Sequence, residues 1–377
     1  PISRGFMLAL IALANVPFWL RYFPDAPHAG EAALAAMNDV DQWWYLVRTL
    51  FVDRREYPLF SMLFGFGMAI MASRTMERER RVAMDAIPPE LSAGWNPLQR
   101  EIVRDAVERR ARRAAARLIR RRGWWMLAFG LVHAVFFSGD IIGTYGLVAV
   151  IFAEVIVMRR AWLRVLVGAF IASLSLLGIW SMSAIAGREP MVFEFHDPVR
   201  LDAGYPLVSV GSWLIATPMT VLTALVVPCV MIGVGVARWG LLQDPRGHGP
   251  LLVGIALVGL GIGALGALPF ALMQLDWACA GSASWSYPLF HASGVAGACG
   301  WLALLALVGG GPRENLGSVC AFLSAIGRRS MTAYLSQTLL FIVMFGVLGA
   351  FGVRVLGVAV SGLLALGVWA LIGFGCV

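Results

Sequence analysis

Charge is what this sequence has least of. Only 14% of its 377 residues are charged, against 59% hydrophobic, whereas a soluble domain carries about 25% charged residues. Mean hydropathy is +0.77. So little charge cannot cover a water-facing surface, which excludes an ordinary soluble globule. Catalytic signatures are scarce as well: there is no acyl-serine elbow, P-loop, dinucleotide fingerprint or HExxH pair. The cysteines Cys229, Cys279, Cys299, Cys320 and Cys376 show no CxxC or other metal spacing. They read as small apolar packers, and no metal is expected. Nothing resembles a cleaved signal peptide, and ends at Pro1 and Val377, the latter inside an apolar run, read as trimmed.

What remains is a series of long apolar runs. A bilayer core about 30 Å thick takes roughly 20 helical residues to cross, and unbroken runs of that length exclude a transmembrane barrel, whose strands alternate. The fold class expected is therefore all-α, a polytopic membrane protein forming one transmembrane domain over residues 1–377. Its spans, about ten by this length criterion, cover 6–20, 57–73, 124–138, 141–158, 163–184, 213–236, 251–273, 287–308, 331–349 and 355–377. Residues 40–52 (VDQWWYLVRTLFV) read as a short interfacial helix.

The net charge of +8 has two readings. Nucleic acid is set aside because the arginines crowd next to spans, as the positive-inside rule requires. Residues 74–122 hold fourteen arginines against seven acids, which places this loop in the cytoplasm. Its half 98–122 reads as a basic helix along the inner surface, drawn by anionic lipid, or as a channel for an anionic cofactor. Both ends then fall inside and loops 21–56 and 187–210 outside, in a plasma membrane of bacterial inner-membrane type. Lone Arg354 is the exception.

Ionisable groups within spans are costly and usually face a cavity. His133 and Asp140 are the foremost pair. His133 lies roughly 14 Å along its helix, near mid-membrane, as a general base or as a histidine satisfied by a neighbouring helix. Asp140 reads as a cap on the next helix, a functional group, or both. On a continuous helix the two are about 10 Å apart; a direct bond requires a break at Ser138-Gly139, which glycine permits. They are expected as two stations along one path. Arg4 and Asn15 share a face of the first span. Arg328, Arg329, Ser330, Thr332, Tyr334, Ser336 and Gln337 make the ninth too polar to face lipid. His291 is a weaker candidate, and His28, His196 and His248 fall in loops.

Five blocks, in order, resemble the YeiB-like family (domain of unknown function 418). Residues 4–15, RGFMLALIALAN, are similar to its RGxxLxGIxxxN opening, and 59–67, LFSMLFGFG, to LFSxLFGxG. Residues 130–145, GLVHAVFFSGDIIGTY, resemble GLxHxxxxxxGDILxxY, 232–242, IGVGVARWGLL, resemble GMALxRxGLL, and 327–337, GRRSMTAYLSQ, resemble GRMALTNYLxQS. Ala333 stands where the family carries asparagine. The family is grouped with membrane acyltransferases, including the lysosomal heparan-glucosaminide acetyltransferase. The resemblance thus implies acyl transfer from cytoplasmic acyl-CoA to a hydroxyl or amine acceptor, unidentified here, at the outer face. That enzyme's histidine precedes its second span, and this chain has none between Val40 and Ser61, so His133 is a candidate by chemistry alone.

The expectation is a membrane acyltransferase with His133 and Asp140 catalytic. Arg4, Asn15, Arg121, Arg122, Arg328 and Arg329 would bind the donor, and Tyr145, Tyr334, Gln337 and His291 the substrate. The alternative is a proton-coupled transporter or lipid flippase with His133 and Asp140 as relay. Membrane lipids are the other expected partners, and self-association as a homo-oligomer is left open.

Overall fold

In lipid every backbone N–H and C=O must be paired within its own segment, which favours helices. The computed structural model describes residues 1–20, 37–186, 204–277, 285–311, 317–353 and 356–377, and among these every regular element is a helix. His28, His196, Cys279, Arg313 and Arg354 lie outside the described residues. The chain is an all-α polytopic membrane protein, with eight helical stretches among the described residues long and apolar enough to cross a bilayer.

The helices are α1 (Ile2–Leu20), α2 (Asp39–Phe51), α3 (Glu56–Asp85), α4 (Pro89–Ala93), α5 (Pro97–Ala134), α6 (Ile142–Val157) and α7 (Ala161–Ala186). They continue as α8 (Tyr205–Thr223), α9 (Val226–Trp239), α10 (Gly249–Gln274), α11 (Ser286–Gly309), α12 (Ser318–Arg328), α13 (Ser330–Ala350) and α14 (Val358–Cys376). One core cluster joins α1 to α3, α11, α13 and α14 around Met7, Ile11, Leu59, Met62 and Phe341. A second joins α3, α5, α6 and α9 around Ile119, Tyr145, Val148 and Val230. At the α3–α9 crossing Gly65 meets the Val230 carbonyl and Gly233 meets the Met62 carbonyl, so tightly that a Cβ on either would overlap that oxygen.

Three local features depart from the expected spans. The basic stretch 98–122 is not a separate helix, because it is continuous with the apolar residues 123–134 in α5. A capping box starts the helix: Asn96 Oδ1 accepts from the Gln99 amide at 2.8 Å, and Gln99 Oε1 from the Asn96 amide at 2.9 Å. From there to Gly123 no glycine or proline interrupts it. Ala111, Ala115, Ala116 and Ile119 are buried, and Arg80 of α3 binds Glu108 of α5 through two bonds of 2.7 and 2.9 Å. The two helices form a charged hairpin. That pair holds the Glu108 carboxyl below its usual range, chiefly through the hydrogen bond, with the charge of the nearby arginines helping against the opposing effect of burial.

The span expected over 213–236 is broken. Its halves are α8 and α9, and Leu225 at the join has φ +56°. Pro228 supplies the reason: its ring would clash with the carbonyl four residues back, at Ala224, were the helix continuous. Ser175 Oγ donates to the Leu222 carbonyl at 2.5 Å, pairing an acceptor left free near the break. The third departure, between α5 and α6, forms the site.

The expected interfacial helix is α2. It is tied into the bundle by Trp277 Nε1 to Gln42 (3.1 Å) and Trp301 Nε1 to the Phe51 carbonyl (2.9 Å). Asp41, buried, accepts from the Ala359 amide at 2.7 Å and so caps the N-terminus of α14. Asp41→Ala should therefore destabilise the protein by about 0.5–2 kcal/mol, the cost of a lost cap. Thermal unfolding in detergent measures it; an unchanged midpoint would contradict the capping role.

Candidate functional site

The segment between α5 and α6 carries the site. α5 ends at Ala134, one residue past His133, and the chain turns through 135–141 before α6 begins. Arg120 and Glu154 pair at 2.9 Å, so they are level on the two helices. Counting helical rise from there places His133 about 20 Å up, and Ile142 about 18 Å, within a core of about 30 Å. Irregular backbone at that depth is tolerated only inside the protein, and its polar groups have partners. The Phe136 and Phe137 amides return to the His133 carbonyl at 2.9 and 3.0 Å. Ser209 Oγ and Tyr205 OH of α8 donate to the Ala134 and Phe136 carbonyls at 2.6 and 3.0 Å.

This turn brings His133 and Asp140 together. The expected two stations are replaced by a direct bond, His133 Nδ1 to Asp140 Oδ1 at 2.7 Å, with both side chains buried. Helix α5 stops sooner than the Ser138-Gly139 position expected, which makes room for it. Asp140 Oδ2 accepts from the Gly143 amide at 2.7 Å and from Trp213 Nε1 at 3.1 Å. The expected capping by Asp140 is thus present, and the same carboxylate also binds His133. Gly130 permits the closure, since a Cβ there would lie 2.7 Å from Asp140 Oδ2.

A carboxylate only accepts hydrogen bonds. His133 Nδ1 therefore carries the hydrogen, and Nε2 presents its lone pair, to which Thr338 Oγ1 of α13 donates at 2.8 Å. The result is a buried chain of carboxylate, imidazole and hydroxyl. Tyr334 lies one turn before Thr338, its ring 5.2 Å from the imidazole. Its hydroxyl sits beside the Ile141 backbone but makes no hydrogen bond there. Gln337 turns toward α1, with Nε2 on the Leu8 carbonyl at 3.0 Å and Oε1 without a partner among the described residues.

Other expected site residues go elsewhere. The Tyr145 hydroxyl meets the Tyr57 carbonyl at 3.1 Å and Ser61 Oγ at 3.0 Å. His291 belongs to that second cluster: Nδ1 is 3.4 Å from the Tyr57 hydroxyl and Nε2 has no partner among the described residues. His248 is exposed and bonds the Asp244 carbonyl at 2.8 Å. Asn15 is half-buried, with no hydrogen-bond partner among the described residues. Arg329 is bound to the Cys376 carbonyl, and Arg328 to Ser324 of its own helix at 3.0 Å.

Arg4 and Arg122 come together at the arginine-rich end. A Cβ on Gly67 of α3 would touch Arg4 Nη2 at 2.7 Å, and Arg122 Nη1 meets Met71 Sδ, one turn further on, at 2.8 Å. The two cations repel each other, and among the described residues neither they nor Arg121 has a carboxylate partner. At the same end of α3 a cavity of about 420 Å³ opens, floored by Ala69, Ala72 and Val157 and rimmed by Arg80, Glu108, Arg159 and Arg238.

Thr338 and Trp213 had not been singled out from sequence. Thr338 shares a face of α13 with Tyr334, four residues earlier, but a lone threonine in a span is a weak signal. Trp213 reaches Asp140 through the tertiary fold and had no local signal.

Residues 236–377 match the model of the family described as Protein of unknown function (DUF418). No curated protein and no solved structure matches the chain.

Asp140 receives three hydrogen bonds, so Asp140→Ala strands three buried donors, each at about 1–3 kcal/mol. Trp213→Phe removes one donor and leaves the others paired. Thermal unfolding should rank Asp140→Ala as much the less stable; equal midpoints would remove Asp140 from its place at the centre of the turn.

Proposed function

We propose that this DUF418-family membrane protein is an acyltransferase that moves an acyl group from cytoplasmic acyl-CoA to a hydroxyl or amine at the outer face. The observation that carries the reading is the buried sequence Asp140, His133 Nδ1–H, His133 Nε2, Thr338 hydroxyl. Asp140 fixes the tautomer and stabilises the imidazolium that forms when Nε2 takes a proton, which is how a general base is oriented. Thr338 marks the place where a hydroxyl meets that base.

Charge supports the direction of transfer. Arg4 and Arg122, with Arg121 next to Arg122 in sequence, are cations without counter-ions among the described residues, suited to the donor's phosphates through charge-assisted bonds. By the positive-inside rule that end is cytoplasmic, in the plasma membrane. The cavity at the same end of α3, which these three arginines do not line, has the apolar floor and charged rim that an amphiphilic donor takes. Arg328 and Arg329 are tied to Ser324 and Cys376 and leave the donor set in this reading. The acceptor is defined by chemistry alone, a nucleophile with a removable proton.

One observation favours a second reading. Both the α5–α6 turn and the α8–α9 join are breaks within the bundle, a feature of ion-coupled transporters, whose sites lie at interrupted helices. There, His133 and Asp140 relay protons.

Acyl-CoA thioester consumption by purified protein separates the two. In the acyltransferase it falls about 10²–10⁴-fold in His133→Ala, the usual worth of a general base. Consumption indifferent to that change removes His133 from the chemistry; no consumption by the unaltered protein favours transport.

A further inference from the structure

We infer that Thr338 is itself the first acceptor, so that the acyl group passes through an ester on its Oγ1 before reaching the final nucleophile. This rests on the acyltransferase reading above. His133 Nε2 has one lone pair, lying in the ring plane, and Thr338 already occupies it at 2.8 Å. A direct transfer would need Thr338 to vacate the base, yet Thr338 stands in the middle of α13, a continuous helix from Ser330 to Ala350. The Asp140–His133–Thr338 series, with bonds of 2.7 and 2.8 Å, has the orienter, base and nucleophile in hydrogen-bond reach, the arrangement that activates a hydroxyl.

Tyr334 supplies a second element. It lies four residues before Thr338, on the same helical face, with its ring 5.2 Å from the imidazole, and among the described residues its buried hydroxyl has no hydrogen-bond partner. A free donor at that place suits the oxyanion of a tetrahedral intermediate on Oγ1. A buried phenol left without a partner is otherwise a net cost.

The chemistry balances in two halves. In the first, the Thr338 hydroxyl proton passes to His133 Nε2 as Oγ1 bonds to the thioester carbonyl carbon. The carbon–sulfur bond breaks, and the departing thiolate takes the proton from Nε2, leaving free CoA thiol and acyl-threonine. In the second, an acceptor hydroxyl or amine gives its proton to Nε2 and attacks the ester carbon. The threonine oxygen leaves and takes that proton back. Nothing is oxidised or reduced. A carrier at mid-membrane also lets donor and acceptor approach from opposite sides without being bound together.

The test uses the full chain, purified in detergent, with acetyl-CoA and octanoyl-CoA as probes and no acceptor. Free thiol is followed in time, and the protein is weighed intact and mapped by peptide mass. The expected result is a burst of thiol of about one equivalent per chain, with the matching acyl mass on Thr338. Thr338→Val, close in volume but without the hydroxyl, should lose burst and adduct, and Thr338→Ser should keep both. If the valine variant fails to fold, the mapped adduct on the unaltered protein decides alone. Steady His133-dependent thiol release without an adduct, or an adduct surviving in Thr338→Val, overturns the acyl-threonine and leaves the acyltransferase reading standing. Absence of both thiol release and adduct overturns the two together.

Discussion

A carboxylate placed within a bilayer has to be surrounded by donors or it is not tolerated, and Asp140 meets that demand with His133, the Gly143 amide and Trp213. The same three bonds shape what lies around them. The amide bond starts α6, the indole bond holds α8 against the turn, and the imidazole bond draws the end of α5 back over it. Gly130 has no side chain to obstruct that approach. Without the carboxylate, the turn 135–141 has no means of closing within the bundle. Its carbonyls would then lose the Ser209 and Tyr205 hydroxyls that pair them.

Much of this was legible in composition and pattern. Apolar runs of spanning length follow from the thickness of the bilayer, so helices such as α10, α11 and α13 fall within a residue or two of the spans expected at 251–273, 287–308 and 331–349. His133 and Asp140 stood out because ionisable residues are expensive in lipid. Their contact was not legible. Helical spacing separates them, and the turn that joins them depends on partners from α8, far away in sequence. Thr338 is one residue past the polar run on α13, and a lone threonine in a span is ordinarily bonded to its own helix. The α8–α9 break had a local cause in Pro228, which can enter a first helical turn as easily as end the preceding helix. The basic stretch 98–122 looked like a surface helix by charge, yet its alanine face packs against α3 and its helix runs unbroken into the spanning part of α5.

The polar groups fall into three sets. Arg4 and Arg122 gather on one end of α3, with no counter-ion among the described residues. The Asp140–His133–Thr338 series lies about 20 Å along α5 from the Arg120–Glu154 pair. The Tyr57, Tyr145 and His291 group forms a separate buried cluster whose His291 Nε2 has no partner among the described residues. In the proposed reaction the first set holds the donor and the second carries the proton and acyl chemistry. A cationic group on one side and a base deep in the bundle give the transfer a direction.

Sidedness joined to His133 dependence is the most direct measurement of that account. Acyl-CoA, which does not cross the bilayer, can be added to sealed membrane vesicles of either orientation, containing the unaltered protein or His133→Gln. The account predicts thioester consumption in vesicles presenting the arginine-rich hairpin to the medium, and none above background in the opposite orientation or in the variant. Consumption that is equal from both sides, or unchanged in His133→Gln, would contradict it.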